Sequence, residues 1–310
     1  EVHITKNADA YRYFIYGRYS QLRKNESLYS NITKAIESDS TFALASYYGA
    51  SRGLFYQINS ALVNNYIAHT MRYRGKFPEY MEMRTRLLNY QINENNEKTI
   101  ELAERMNLLR PDNIDVLILL IDAYYSDAMF VEAHRYIVRL NELAVDNPEY
   151  QVMLADSYLY SNKLNKGLRY IKDRIKEKPG YVDFLLRKVQ FHLHRNEWDK
   201  AEDELNNAIF HSPENKDKWA PLFDHIEFMK EGQSKYLNLD NFVGYYRSGN
   251  SEFYRNIFFL DNHLYAKPKN QSGAYYYPVS DSTFLSMGFA ENRITSMHNF
   301  SFNEEGEIYF

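Results

Sequence analysis

Two aspartates in similar surroundings, Asp122 and Asp156, are followed along the chain by two histidines, His192 and His194. Such residues could perform acid–base catalysis, bind a metal ion or recognise a cation on a ligand. We expect no catalysis, because no nucleophile, histidine or oxyanion donor accompanies the aspartates. We expect no metal site either, because residues two apart on a helix point about 200° away from each other. The pattern therefore favours ligand recognition, with no catalytic residue and no cofactor.

The composition narrows the class of ligand. The 310 residues include no Cys, which eliminates disulfides, thiolate zinc sites and Cys nucleophiles. The 37 basic residues are outnumbered by 41 acidic ones, so there is no basic excess for binding nucleic acid. All apolar runs are shorter than the ~20 residues that span a bilayer. We expect a protein partner, no nucleic acid and no membrane span in this segment.

The elements that position the aspartates recur at an interval of about 34 residues. Residues 120–137 align without a gap on residues 154–171. The same interval gives an aromatic column of Tyr90, Tyr124, Tyr158 and His192. It also gives a small-residue column of Thr99, Ala133, Gly167 and Ala201. Prolines recur at one or two intervals, at Pro111, Pro179 and Pro213. Small residues let two helices approach closely, and proline ends the second helix. Each repeat is therefore predicted to be an antiparallel helical pair.

These columns resemble the tetratricopeptide repeat (TPR) family. The resemblance implies a right-handed α-solenoid. Residues 11–50, with Gly17 and Ala35, and residues 42–77, with Gly53 and Tyr56, read as two earlier units. About six helical pairs then cover residues 11–213, and an amphipathic helix at 216–232 caps the last pair. We predict a helical repeat domain over residues 1–232.

The pattern changes after Gly232. Phe and Tyr make up roughly a quarter of the chain from Tyr236 onwards, in short runs separated by turns at Asp261-Asn262 and at 304–306. This enrichment predicts a small antiparallel β domain at residues 236–310, arranged as a meander or barrel. Residues 242–246, 261–266 and 277–280 resemble the small domain of unknown function that follows bacterial β-lactamase-like serine hydrolases. The Ser-x-x-Lys of those hydrolases has no counterpart, so the resemblance implies no catalytic residue.

Consecutive tyrosines at 275, 276 and 277, with Phe258 and Phe259, allow two interpretations. They could line a pocket for an apolar or sugar ligand. Alternatively, alternate members fill the β core while the others pack on the helical domain. The sequence favours the second interpretation.

A second stripe runs along the first helix of each repeat, opposite the Leu/Tyr seam, where it would line the concave surface. Tyr and Leu can anchor a partner, and Asp can bind a donor or cation. The stripe therefore predicts a partner segment that bears Lys, Arg or backbone donors, and it argues against acidic C-terminal tails. In the alternative, part of the stripe packs between neighbouring first helices. The predicted partner-binding residues are Arg84, Ile118, Asp122, Tyr125, Val152, Asp156, Tyr160, Leu186, Gln190 and His194.

The fold class and composition predict a non-enzymatic protein–protein interaction scaffold. Two other functions stay open. The first repeat resembles those that follow the membrane span in some bacterial membrane-bound regulators and kinases. With the missing initiator Met, this suggests the extracytoplasmic sensor region of a larger regulator, and a location outside the cytoplasm is favoured. The other function is a small-ligand-binding or hydrolase-accessory β domain mounted on the helices.

Overall fold

A computed structural model describes residues 5–20, 27–56, 60–93, 95–232, 237–247, 254–268, 273–288, 294–302 and 308–309. The chain forms two compact units, Glu1–Pro111 and Asp112–Phe310.

Both units are built from antiparallel helical pairs. The first contains α1 (Ala8–Ser20), α2 (Ser27–Ser38), α3 (Ala43–Phe55), α4 (Ser60–Tyr73), α5 (Glu79–Ile92) and α6 (Asn96–Leu109). The second contains α7 (Ile114–Ser126), α8 (Phe130–Leu143), α9 (Pro148–Tyr160), α10 (Leu164–Glu177), α11 (Val182–Leu193), α12 (Trp198–His211) and α13 (Lys216–Lys230). In the described ranges this gives six pairs and a further helix, which confirms the predicted pattern. None of these helices combines the length and apolarity needed to cross a bilayer.

The small-residue column brings the helices of neighbouring pairs together. Ala133 and Ala201 are fully buried. At Gly167 even a methyl group would be too large, because a Cβ there would overlap the ring of Phe191 and lie 2.9 Å from Cβ of Tyr158. The repeat pattern therefore reflects steric limits within the seams.

The turns between paired helices repeat as well. Ala128, Asn162 and Asn196, which follow one another at the repeat interval, have φ of 58°, 54° and 56°. These left-handed residues end α7, α9 and α11 and reverse the chain. Asn113 and Asn147, again one repeat apart, cap the N-termini of α7 and α9 by accepting hydrogen bonds from the backbone N–H groups of Val116 and Glu149. The period thus fixes both ends of these helices.

The C-terminal strands form an antiparallel meander, as predicted. The six-stranded sheet contains β1 (Gly244–Arg247), β2 (Tyr254–Leu260), β3 (His263–Pro268), β4 (Ala274–Pro278), β5 (Thr283–Gly288) and β6 (Ile294–Asn299), hydrogen-bonded in that order. A separate pair joins β7 (Ser301–Phe302) to β8 (Ile308–Tyr309). Asp261 and Asn262 form the predicted β2–β3 turn with φ of 49° and 65°. The turn predicted at 304–306 lies outside the described residues.

Alternation along β4 divides the consecutive tyrosines between the two faces of the sheet. Tyr275 and Tyr277 face the helices of the second unit. Tyr276 joins the core of the opposite face, which it shares with Leu264 and Phe284. This confirms the prediction that alternate tyrosines fill the β core and pack on helices. The sheet and α7–α13 belong to one compact unit.

Candidate partner-binding surface

The sheet covers the C-terminal ends of α7 and α9. Tyr160 stacks on Tyr275, with ring centroids 5.1 Å apart and planes 9° from parallel. Tyr265 meets the same Tyr160 ring edge-on at 5.9 Å, and Tyr125 lies 6.1 Å from Tyr160. All four rings are buried. Offset-stacked and edge-on arrangements are the favourable geometries for aromatic pairs, so this cluster stabilises the junction between helices and strands.

Histidines continue the covered surface onto α11 and α13. Nε2 of His194 lies 2.7 Å from the Tyr277 hydroxyl, and the His194 ring stacks on His263 at 4.0 Å. Nδ1 of His225 donates to the carbonyl oxygen of Pro278 at 2.7 Å. Burial lowers the pKa of His225 to about 4 and holds that of His194 well below its ordinary value. The rings therefore stack as neutral groups at pH 7.

The covering sheet corrects the predicted groove. Six residues that the sequence analysis predicted to line the groove are buried in the structure. Rings from β3 and β4 pack on Tyr160 and His194 and exclude water there. The packing alternative holds for part of the stripe, because Asp156 pairs with Arg187 of the neighbouring first helix and Tyr125 lies against Tyr160. The six are Tyr125, Asp156, Tyr160, Leu186, Gln190 and His194.

Asp156 is occupied by an ion pair within the chain. Arg187 donates from Nε and Nη2 to the two carboxylate oxygens at 2.5 and 3.1 Å. Both side chains are buried. Burial raises the pKa of Asp156, and the guanidinium of Arg187 opposes that rise. The sequence interpretation missed Arg187, although an arginine within the apolar segment 184–191 signals a buried cation that needs an acidic partner.

Three predicted residues remain accessible on the second unit, and we call them the open strip: Ile118, Asp122 and Val152. Asp122 is exposed, while Ile118 and Val152 are half-buried. Within the described residues Asp122 has no hydrogen-bond or ion-pair partner. Desolvation by the surrounding protein raises the pKa of Asp122 to about 6, although its side chain still reaches solvent. Together these properties describe a recessed carboxylate.

Further acidic groups lie on the first helices of the following repeats. Burial raises the pKa of Tyr181, and the nearby carboxylates of Asp183 and Glu149 raise it further. Asp183 also acts on the buried carboxylate of Asp156. These carboxylates give the N-terminal ends of α9 and α11 a negative potential.

Arg84, the remaining predicted residue, belongs to α5 of the first unit. It is half-buried, and its Nε donates to the hydroxyl of Tyr47 at 3.4 Å.

Metal chemistry receives no support from the described part of the chain, where no three His, Asp or Glu side chains lie together in a metal-binding group. His192 and His194 have different neighbours. Nδ1 of His192 lies 2.6 Å from Oε2 of Glu197, whereas His194 contacts Tyr277.

Comparison with known proteins gives one family match and several solved structures. A family model described as ChAPs (Chs5p-Arf1p-binding proteins) matches residues 123–241, less than half of the chain. YrrB, a TPR protein with an unusual peptide-binding site, is 18% identical, with 66% of this chain and 87% of that chain covered and a TM-score of 0.36. The Pseudomonas aeruginosa pilF protein is 14% identical, with 66% and 92% covered and a TM-score of 0.48. Cut9–Hcn1 of the APC/C is 12% identical, with 66% and 40% covered and a TM-score of 0.49. No curated protein matches significantly.

Proposed function

We propose that the chain is a non-enzymatic protein-interaction scaffold whose second unit binds a basic or donor-rich segment of a partner on the open strip. The recessed Asp122 is the observation that carries this proposal. Its carboxylate is accessible and has no partner among the described residues. The match of residues 123–241 to a family described by the proteins that it binds supports a protein as the partner.

The open strip suits an extended segment with alternating apolar and basic side chains. Ile118 and Val152 offer half-buried aliphatic surface on α7 and α9. A lysine or arginine beside Asp122 would meet a carboxylate whose surroundings already exclude much of the water, which strengthens the attraction. Glu149 of α9 and Asp183 of α11 add negative potential at the N-terminal ends of their helices. Binding should therefore weaken as salt increases.

A direct test measures the affinity of fluorescein-labelled Lys/Leu-alternating peptides by anisotropy, beside Glu/Leu peptides of the same length. The Asp122→Lys variant is the probe of the site. The matched control is Asp203→Lys, which makes the same charge change at an exposed position of α12. We expect Asp122→Lys to weaken the basic peptide about tenfold, a loss typical of a central contact, and Asp203→Lys to have little effect.

The pH dependence provides a second readout of the same site. Asp122 with a pKa of about 6 is mostly ionised at pH 7.5 and mostly protonated at pH 5. Affinity for the basic peptide should fall across this range, and Asp122→Asn should remove most of that fall. Equal affinities for wild type and Asp122→Lys in folded protein would rule out the open strip.

A second candidate function concerns the sheet face that points away from the helices. Nη1 of Arg255 donates to the Tyr276 hydroxyl at 2.8 Å and to Nδ1 of His298 at 3.2 Å, while Nε2 of His298 lies 3.0 Å from the Ser286 hydroxyl. This convergence of polar groups from four strands, together with the resemblance to a hydrolase-associated domain, supports a small-ligand or hydrolase-accessory function. Thermal shift with panels of small carboxylates and sugars, and coelution with a serine hydrolase, test it.

The resemblance of the first repeat to regions that follow a membrane span supports the further proposal that the chain works outside the cytoplasm. Fractionation of source cells with an antibody to the chain tests this location.

A further inference from the structure

Four arginines of the first unit contact tyrosine or phenylalanine side chains and have no carboxylate partner among the described residues. They are Arg18 on α1, Arg52 on α3, Arg84 on α5 and Arg110 after α6. Three other arginines of the unit form ordinary ion pairs, Arg12 with Asp9, and both Arg74 and Arg86 with Glu82. The unit thus holds cations in two different environments.

Aromatic rings, rather than carboxylates, hold the unpaired arginines. The guanidinium carbons of Arg18 and Arg52 lie 5.9 and 5.4 Å from the ring centre of Tyr48, so this ring contacts two cations. Arg18 also lies 5.8 Å from the ring of Phe14. Cation–π contacts orient a guanidinium and leave its N–H edge available for a ligand.

The same arrangement continues on α5. Nε of Arg84 donates to the Tyr47 hydroxyl at 3.4 Å, and the guanidinium carbon of Arg110 lies 4.3 Å from the ring centre of Tyr80. Burial disfavours the charged form of Arg84, yet Tyr47 and Tyr80 together outweigh this effect and raise the pKa of Arg84. Because Tyr47 and Tyr48 are successive residues of α3, the contacts connect α1, α3 and α5. We call Arg18, Tyr48, Arg52, Tyr47 and Arg84 the Arg–Tyr ladder.

The charge of the unit agrees with the local contacts. Residues 1–111 contain 15 basic and 11 acidic residues, a net charge of +4. Residues 112–310 contain 22 basic and 30 acidic residues, a net charge of −8. The Arg–Tyr ladder therefore lies in the positive part of an acidic protein. Guanidinium groups recognise carboxylates through paired N–H donors, which suits an acidic ligand.

We propose that the Arg–Tyr ladder binds an acidic segment of a partner protein through the side-chain carboxylates of that segment. The proposal rests on the scaffold function but uses other residues than the open strip and ligands of the opposite charge. Oriented guanidiniums lose less conformational freedom on binding than free ones, which favours this surface over scattered lysines.

The test uses a fluorescein-labelled peptide of alternating Glu and Leu, titrated with the full chain and followed by anisotropy. The ladder variant is Arg18→Gln/Arg52→Gln/Arg84→Gln. Its control, Arg12→Gln/Arg74→Gln/Arg86→Gln, removes the same charge from the ion-paired arginines. We expect the ladder variant to bind at least tenfold more weakly and the control to stay within twofold of wild type. Arg18→Gln/Arg52→Gln keeps the half-buried Arg84 and serves if the triple variant unfolds.

Further measurements distinguish specific binding by the ladder from non-specific attraction and from self-association. Arg18→Lys/Arg52→Lys keeps the positive charge but removes the planar guanidinium groups that contact Tyr48. We therefore expect a clear loss of affinity for the acidic peptide. An amidated C-terminus on the peptide should change nothing, since side-chain carboxylates are the ligands. Equal weakening in the ladder and control variants would mean non-specific attraction and overturn the proposal. Ladder-dependent self-association in sedimentation would also overturn it, by making a second copy the occupant. The basic-peptide test of Asp122 is independent of each outcome.

Discussion

Tyr160 of α9 and Tyr275 of β4 stack with their ring centres 5.1 Å apart and their planes 9° from parallel. Both rings are buried, and they join a helix to a strand within the second unit. Because this contact belongs to the core of the unit, we expect α7–α13 and the sheet to unfold in one cooperative transition. Far-ultraviolet circular dichroism of the helices and near-ultraviolet circular dichroism of the buried tyrosines should then report the same midpoint for this unit.

Two tyrosines on the same face of β4, Tyr275 and Tyr277, should differ in how loss of the hydroxyl group changes the free energy of unfolding. The Tyr275 hydroxyl is buried and has no hydrogen-bond partner among the described residues, whereas the Tyr277 hydroxyl lies 2.7 Å from His194. Tyr275→Phe should leave the free energy of unfolding unchanged or raise it by up to about 1 kcal/mol. Tyr277→Phe should lower it by about 1–2 kcal/mol. Urea denaturation measures both, and equal losses would show that Tyr275 has a polar partner.

The two aspartates that the repeat aligns should differ sharply. Asp156→Asn leaves Arg187 buried without its counter-charge and should cost about 3–5 kcal/mol of unfolding free energy. Asp122→Asn should leave the free energy of unfolding unchanged or raise it, because desolvation disfavours the ionised carboxylate and no ion pair is lost among the described residues. Chemical denaturation of both variants checks this difference. A mild effect of Asp156→Asn would mean that the buried pair contributes little.

Acid should destabilise the second unit through its buried histidines. The folded-state pKa of His225, about 4, lies below the ordinary value of 6.5. The unfolded chain therefore takes up the proton first, and stability is lost as the pH falls from 6.5 towards 4. At about 1.4 kcal/mol per pKa unit, His225 contributes about 3 kcal/mol to this loss.

Unfolding midpoints in urea between pH 7 and 4.5 measure this dependence. His225→Asn can still donate to the Pro278 carbonyl but does not titrate, so its stability should fall less steeply with acid. A slope identical to wild type would show that His225 does not contribute.

Gly167 and Gly180 allow a matched test of how tightly the helices pack. Gly167→Ala forces a methyl group into the ring of Phe191 and should cost about 1–3 kcal/mol. Gly180→Ala meets only His211 at 3.6 Å, an ordinary contact, and should have a small effect. Thermal unfolding of both variants tests the seam. Combining Gly167→Ala with Phe191→Leu should recover part of the loss.

The local architecture could be predicted from sequence because it depends on the period. Columns of small, aromatic and proline residues determine where each helix packs and ends, so six pairs and the helix after Pro213 were predictable. The alternation at Tyr275–Tyr276–Tyr277 likewise predicted opposite faces of a strand. The repeat period and the strand alternation are both local sequence patterns, and the folded chain shows the structure that each predicts.

The candidate site was less predictable, because burial of a first-helix stripe depends on what packs over it. Tyr125 and Tyr160 have the composition of ligand anchors, and β3 and β4 make use of that property inside the chain. Nothing in the repeat that contains them signals Tyr265 or Tyr275. Asp122 and Asp156 occupy equivalent positions, yet Arg187 neutralises only the second. Arg84 of the Arg–Tyr ladder was among the predicted partner-binding residues, whereas Arg18 and Arg52 were overlooked because the period does not mark them.

The sheet that covers α7, α9 and α11 also sets the order in which the second unit can be completed. His194 and Tyr277, which bond to each other, are 83 residues apart, whereas contacts within a helical pair are local. During synthesis the helices emerge first, and Tyr125 and Tyr160 remain exposed until β3 and β4 have been made. A nascent chain therefore exposes an aggregation-prone aromatic surface while about a hundred residues are translated. At ordinary rates of synthesis this takes several seconds. Translation of β3 and β4 ends this exposure.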